Sequence, residues 1–121
     1  EGGLISIGDC HAAMGDGEAT ASAVECALDA TFRVTIADDF QVTRPVVTTD
    51  TEVMTTGEGP TMEEAAKVAL NAMADLMVDR LGIDYTDAAM LIASAADVRT
   101  GLAGHPPNTM RVAIPRSMLS V

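Results

Sequence analysis

The chain has 121 residues, which is enough for one compact domain and too few for two ordinary ones. Seven basic residues against 18 acidic residues give a formal net charge of −11. That charge argues against a nucleic-acid partner, since phosphate binding needs clustered Lys and Arg, and against docking on an anionic membrane. Hydrophobic residues make up 48% of the chain, so it is too apolar to be an acidic disordered tail. We therefore expect a single folded domain over residues 1–121.

The core is expected to contain mainly aliphatic side chains and Met, because Phe32, Phe40 and Tyr85 are the only aromatic residues in the sequence. Eight Met residues serve as adaptable filler. Such packing buries less apolar area per residue, so we expect a partner surface to bury additional apolar side chains. Cys10 and Cys26 fit no disulfide framework or zinc motif and are predicted to be reduced thiols. With no long apolar run and no secretory leader, the expected location is the cytoplasm.

The first third of the chain shows two apolar patterns. The short apolar run at residues 4–7 predicts a buried strand. Residues 28–36 alternate apolar and polar side chains, which predicts a half-buried strand closed by Asp38 and Asp39. The small-residue stretch 19–26 fits either a strand or a helix.

The middle of the chain contains the clearest element. β-Branched residues predict short strands at Val46–Thr48 and at 52–56, followed by a turn at 57–60. Thr61 and Glu64 have the spacing of a capping box, and Gly82 stands where a helix C-terminal glycine belongs. Between them, apolar residues recur at helical spacing and predict a core-facing stripe: Met62, Ala65, Ala66, Ala69, Leu70, Met73, Leu76, Met77 and Leu81.

The last third predicts a helix over residues 86–96 and a final strand. The helix is expected to turn Ala89, Met90, Ile92 and Ala93 inward, and the strand contains Met110, Val112 and Ile114 and ends at Pro115. Strands, then two helices, then a strand predict an α+β fold. We expect short strands in a mixed or antiparallel sheet, packed by two consecutive helices in a roll-like arrangement.

The segment 8–18 concentrates the chemistry. In extended chain Asp9 and His11 point to the same side, while glycines at 15 and 17 let Asp16 and Glu18 converge on them. Imidazole and carboxylate ligands together suit zinc or manganese, and a bound ion would polarise a carbonyl for amide hydrolysis. The alternative is a solvated acidic turn. An EF-hand is excluded, since Met14 and Thr20 occupy its glycine and glutamate positions.

Other candidates carry competing interpretations. Cys10 is either a thiolate nucleophile or a small buried hydrophobe, and His105 either a second-site base or a surface histidine. Asp50 and Glu52 either point into a site or form a solvated edge. The sequence lacks the serine-hydrolase elbow and the P-loop motif.

The stretch from Gly8 to Glu18 reads GDCHAAMGDGE and resembles the G-D-x-H-A-x-x-G-D-G-E signature of the acetamidase/formamidase family. Segments 45–56, 59–66, 88–99 and 109–115 resemble later parts of that family in the same order. The resemblance covers essentially the whole chain and corresponds to the family's C-terminal half. The family's β-rich N-terminal half has no counterpart here.

The resemblance implies metal-assisted hydrolysis of short linear amides, such as formamide or acetamide, by a cytoplasmic homo-oligomer. Carried over to matching positions, Asp9, His11 and Asp16 are the expected metal ligands. Glu18 is the expected general base, with Asp16 as a ligand or an orienting group. Zinc is the expected ion, with manganese and calcium as alternatives, and the N-terminal half of the same protein is an expected partner.

Two other functional classes stay open. One is a non-catalytic metal-binding or assembly domain that keeps the motif as structural reinforcement. The other is a plain structural domain with a solvated acidic turn, for which chelation would leave stability unchanged.

Overall fold

A computed structural model describes residues 3–36 and 42–119. Asp38, Asp39 and Phe40 therefore lie outside the described residues. Along the chain the elements are β1 (His11–Ala13), β2 (Val24–Glu25), β3 (Val46–Thr48), β4 (Glu52–Gly59), α1 (Met62–Leu81), α2 (Tyr85–Ala95), β5 (Asp97–Leu102), β6 (Asn108–Pro115) and a 3₁₀ turn (Arg116–Met118).

The strands form two antiparallel sheets. β1 and β2 make a two-stranded ribbon, and the other four strands form a sheet in the order β3-β4-β6-β5. Every pairing within the two sheets is antiparallel. The two helices pack on one face of the larger sheet, with Val53, Val112 and Ile114 of the sheet buried against Met73 and Met77 of α1. The predicted α+β class is confirmed, and the sheet is antiparallel.

Helix α1 forms as its capping residues predict. The backbone N–H of Glu64 donates to the Thr61 hydroxyl (3.2 Å), and that hydroxyl donates to the Glu64 carboxylate (2.8 Å). At the other end Gly82 adopts a left-handed φ of 66°, and its N–H donates to the Val78 carbonyl (3.0 Å). The predicted stripe supplies the fully buried residues of the helix: Ala65, Ala69, Met73, Leu76 and Met77. Met62, at the first turn, is instead exposed.

The predicted turn at 57–60 is wrong, because Gly57 and Gly59 lie inside β4. Their role is close approach to α1. A Cβ on Gly57 would overlap the backbone of Ala65 and Ala69, and one on Gly59 would come within 2.9 Å of the Ala65 nitrogen. The buried Thr55 hydroxyl also donates to the Ala69 carbonyl (2.8 Å), so strand and helix backbones lie close together. Only glycine leaves room for that contact.

Helix α2 occurs where the sequence predicts it, but it turns a different face inward. Asp84 caps its N-terminus by accepting from the Asp87 N–H (2.9 Å). Ala88 is buried, and Leu91 and Ile92 pack against the core. Of the residues predicted to face inward, only Ile92 does so: Ala89, Met90 and Ala93 are exposed. In a short helix rich in alanine the apolar stripe is too weakly contrasted to fix the rotation.

The face of the sheet opposite the helices holds an ion-pair group. The Arg99 guanidinium donates to both oxygens of Glu52 (3.0 and 2.7 Å) and to Asp97 (2.7 Å). The hydrogen bond from Arg99 holds the pKa of Glu52 below its usual value, and the two carboxylates raise the pKa of Arg99. Glu52 is therefore bound within the sheet, and Asp50 is exposed.

The two strands predicted at 4–7 and 28–36 do not form. Both segments have irregular backbone, with Leu4, Phe32 and Ile36 exposed by 102%, 57% and 90%. An apolar or alternating pattern predicts a strand only if a neighbouring strand satisfies its backbone groups. Within residues 3–36 and 42–119, neither segment pairs with another strand.

The loop that leads from β1 to β2 is seated on the β5–β6 connection. The Ala103 N–H donates to the Gly17 carbonyl (2.7 Å), and Asp16 pairs with Arg111 of β6 (2.6 Å). Gly104 provides the room, since a Cβ there would overlap the backbone nitrogen of Ala21 and lie 2.6 Å from the Glu18 carbonyl oxygen. This docking holds residues 16–18 against the larger sheet.

The contact of β4 with α1 predicts a large cost for Gly57→Ala. The added methyl overlaps helix backbone, which cannot move aside as a flexible side chain can. We expect a loss of about 3 kcal/mol in the free energy of unfolding, measured by urea denaturation. Gly3→Ala is the control, because a Cβ at Gly3 has nothing within 4 Å. Equal stability of the two variants would contradict the close approach.

The docking of the loop predicts that Gly104→Ala frees it from the sheet. We expect hydrogen exchange at the Ala103 amide to accelerate at least roughly tenfold, because its bond to Gly17 breaks. The Arg116 amide, which donates to the Thr51 carbonyl elsewhere in the fold, serves as internal control. Unchanged exchange at Ala103 would show that the loop does not depend on this contact.

Candidate functional site

The β1–β2 ribbon places His11 opposite Glu25. Beside this pair, the Cys26 N–H donates to the Cys10 carbonyl (3.0 Å). Hydrogen-bonded and non-hydrogen-bonded pairs alternate along an antiparallel ladder, so His11 and Glu25 form a non-hydrogen-bonded pair. Side chains on one face come closest at such pairs, which brings the imidazole and the carboxylate together.

The Nε2 atom of His11 is the centre of the candidate site. It lies 3.3 Å from Asp9 Oδ1 and 3.2 Å from Glu25 Oε1. The His11 side chain is only 10% exposed, whereas those of Asp9 and Glu25 are 76% and 60% exposed. Nε2 itself is buried and, within residues 3–36 and 42–119, forms no hydrogen bond, since neither carboxylate meets it with hydrogen-bonding geometry. A buried ring nitrogen that faces two carboxylates without bonding to either is the arrangement expected at a cation site.

Glu18 completes the cluster from the other end of the loop. One ligand atom from each of Asp9, His11 and Glu18 lies within 4.8 Å of the others. The chain reaches this arrangement through left-handed backbone at Gly17 (φ 91°) and at two non-glycine residues, Asp9 (φ 62°) and Glu18 (φ 41°). Such conformations are uncommon and cost on the order of 1 kcal/mol or more each. Here they occur at two of the three clustered residues.

Asp16 lies apart from this cluster. Its carboxylate is bound to Arg111, so the structure gives no geometric support to Asp16 as a metal ligand or orienting group. The structure brings together the predicted residues Asp9, His11 and Glu18 and adds Glu25, which sequence reasoning missed. The signal that could have found Glu25 is strand pairing within residues 19–26, a stretch whose pattern does not decide between strand and helix.

The residues present fit a divalent cation. An imidazole nitrogen with carboxylate oxygens is a donor set that zinc and manganese accept. An open depression of about 730 Å³ adjoins the cluster, lined by Glu18 together with small residues of the loop such as Ala19, Ser22 and Ala23. There is therefore space for a small molecule beside Glu18.

The other candidates from the sequence lie in plainer surroundings. His105 is exposed, and its Nδ1 lies 3.2 Å from the Pro106 carbonyl oxygen. Cys10 is half-buried and Cys26 is exposed, both as free thiols. A smaller cleft of about 180 Å³ is lined by Tyr85 and Asp75. There the Tyr85 hydroxyl donates to Asp75 (2.7 Å), which raises the pKa of Tyr85.

Across the described ranges 3–36 and 42–119, the structure contains no helix with the length and apolar character needed to cross a membrane. No protein-family model matches the chain, and no curated protein matches it significantly.

Solved structures do match it. A predicted acetamidase/formamidase from Thermoanaerobacter tengcongensis has 24% sequence identity and a TM-score of 0.79 over 91% of this chain and 36% of its own. An acetamidase from Yersinia enterocolitica has 26% identity and a TM-score of 0.77 over 90% and 33%. An acetamidase from Bacillus halodurans has 28% identity and a TM-score of 0.69 over 92% and 39%.

The chain thus spans 33–39% of the length of these three proteins. The match extends over at least 90% of the chain, so it includes most of the two helices and of the four-stranded sheet. The fold of this chain is that of a segment of the acetamidase/formamidase structures, and the family resemblance predicted from its first motif is confirmed.

Proposed function

We propose that this chain forms the metal-binding part of a hydrolase that cleaves short linear amides to carboxylate and ammonia. The observation that carries the proposal is the buried, unbonded Nε2 of His11, which faces carboxylates in a chain with the fold of acetamidases. A plain structural turn offers no reason to bury a histidine nitrogen without a partner.

Each residue of the cluster has a distinct role in the proposal. His11 would bind a divalent cation through the Nε2 lone pair, which requires the neutral imidazole, and Asp9 would bind it through a carboxylate oxygen. The ion supplies Lewis acidity when bound, polarising the amide carbonyl and lowering the pKa of nearby water to about 7. Glu18 would accept a proton from the attacking water and return it to the departing nitrogen.

Zinc is the ion that the donor set favours. Zinc takes nitrogen and oxygen ligands in tetrahedral sites, whereas calcium prefers six to eight oxygen atoms. The imidazole therefore argues for zinc over calcium, with manganese as the alternative.

The proposed substrate class is small amides. Two of the matched structures are described as acetamidases and one as a predicted acetamidase/formamidase. The depression beside Glu18 is lined largely by Ala, Ser, Gly and Thr, whose small side chains suit a compact substrate.

We further propose that other polypeptide covers the apolar segments 4–7 and 28–36. Leu4, Ile5, Phe32, Val34 and Ile36 are all more than half exposed. Large apolar side chains exposed in this number along two segments support a covered interaction surface. The N-terminal half of the same protein and further copies in a homo-oligomer are the proposed partners, in the cytoplasm, where Cys10 and Cys26 stay reduced.

His11→Ala is expected to remove both metal and activity. The variant loses the one nitrogen ligand of the cluster, so stoichiometric zinc, measured by elemental mass spectrometry, should be absent. Ammonia release from formamide or acetamide should fall by at least about 100-fold. The measurement is made on the natural polypeptide that carries this chain.

His105→Ala is the matched control, since it removes the other histidine of the sequence from an exposed loop. It should keep wild-type metal content and activity. An active His11→Ala protein would contradict the proposed site. If His11→Ala loses the metal but the metal-loaded wild type hydrolyses no amide, the result would favour a non-catalytic metal-binding domain instead.

A further inference from the structure

We propose that Glu25 is the third protein ligand of the cation, beside Asp9 and His11, and that Glu18 is thereby left free as the base. This inference rests on the proposed metal site. It gives Glu25 the third ligand position, for which the sequence predicts Asp16. Asp16 is bound to Arg111, whereas Glu25 lies at the buried nitrogen of His11.

The distances from His11 Nε2 to the two carboxylates agree with metal coordination. Two ligand atoms in a tetrahedral zinc site with bonds of 2.0–2.1 Å lie roughly 3.3 Å apart. Asp9 Oδ1 and Glu25 Oε1 lie 3.3 and 3.2 Å from His11 Nε2. Each of these two separations matches the distance between neighbouring ligands of a zinc ion. Glu18, whose ligand atom also lies within 4.8 Å of those of Asp9 and His11, then stands beside the ion in the position of the base.

The rival interpretation is a histidine held by ordinary ion pairs. A single N–H on Nε2 can donate to one carboxylate, and it would then show a hydrogen bond with good geometry. Nε2 is buried and forms no hydrogen bond with any residue in the part of the chain that the structure describes. A carboxylate that orients a metal-binding histidine binds the other ring nitrogen, whereas Asp9 and Glu25 both face Nε2.

Charge gives an independent argument. Two carboxylates and a neutral imidazole balance one divalent ion, and three protein ligands with one open position are the pattern of catalytic zinc sites. A fourth ligand from Glu18 would close that position and leave the site negative, in a chain whose net charge is already −11. The assignment of Glu25 as ligand therefore agrees with Glu18 as base.

The ribbon explains why Glu25 suits this role. It is fixed opposite His11 by backbone pairing, so its carboxylate is positioned by β2 rather than by the strained loop. Glu18, by contrast, lies on that loop beside the open depression, where a substrate and its attacking water would enter.

The test is titration of the apo form of the natural polypeptide with zinc alone, by calorimetry, for the wild type and four variants. Glu25→Gln is expected to weaken zinc binding by at least about 100-fold, more than the loss of an outer-shell partner. Glu18→Gln should bind zinc within about threefold of wild type, while ammonia release from acetamide falls by at least about 100-fold. Glu63→Gln is the control, an exposed glutamate on α1 paired with Lys67.

A Glu25→His variant guards against simple misfolding. It offers a different ligand at the same place, so zinc binding should recover to within about tenfold of wild type. Glu25→Gln with wild-type affinity would overturn the assignment while leaving the proposed function intact. Equal loss of zinc in Glu18→Gln and Glu25→Gln would overturn the division of roles. A wild-type protein that binds no zinc would overturn the metal site itself.

Discussion

The candidate site depends on the docking of a weak ribbon onto a stable sheet. β1 and β2 contribute only three and two residues, and a two-stranded ribbon of that size is not stable alone. Its loop is held by the bond between Gly17 and Ala103 and by the pair of Asp16 with Arg111. A cation bound between the loop and the two strands would further stabilise the ordered ribbon. Metal binding and ordering of the ribbon are then coupled, because a ligand that binds only the ordered form stabilises that form.

The excess of acidic residues also bears on the site. With 18 acidic and seven basic residues, the chain cannot neutralise its carboxylates in pairs. Arg99 and Arg111 lie opposite each other on β5 and β6, on the sheet face away from the helices. Arg99 pairs with Glu52 and Asp97, and Arg111 pairs with Asp16. The ion pairs that the structure describes around His11 are with the carboxylates of Asp9 and Glu25. A divalent ion is the natural counter-charge for this cluster, which unites the acidic composition with the proposed chemistry.

The sequence predicts the elements whose signals are local. Helix α1 is predicted from end to end because its caps and its apolar stripe depend only on residues close together in the sequence. Strands β3, β4 and β6 are predicted from β-branched or alternating stretches. What depends on distant partners is not predicted. Gly57 and Gly59 resemble turn residues until the backbone of α1 is placed against them. The alternating segment 28–36 has a strand pattern, but among the described residues it pairs with no other strand.

The same division applies to the site. Asp9, His11 and Glu18 belong to one recognisable motif, and the structure brings them together. Asp16 belongs to that motif too, but its position depends on Arg111, which lies 95 residues further on. Glu25 belongs to no motif, and only the register of β1 against β2 brings it to His11.

We propose that His11, Asp9 and Glu25 together hold one cation, with Glu18 beside it. The most direct measurement is anomalous diffraction at the zinc absorption edge from crystals grown with zinc. We expect one strong peak about 2.0–2.2 Å from His11 Nε2 and from one oxygen each of Asp9 and Glu25, with Glu18 outside bonding distance. A peak bound to Cys10 or Cys26 instead, or no peak at His11 in zinc-loaded crystals, would contradict it.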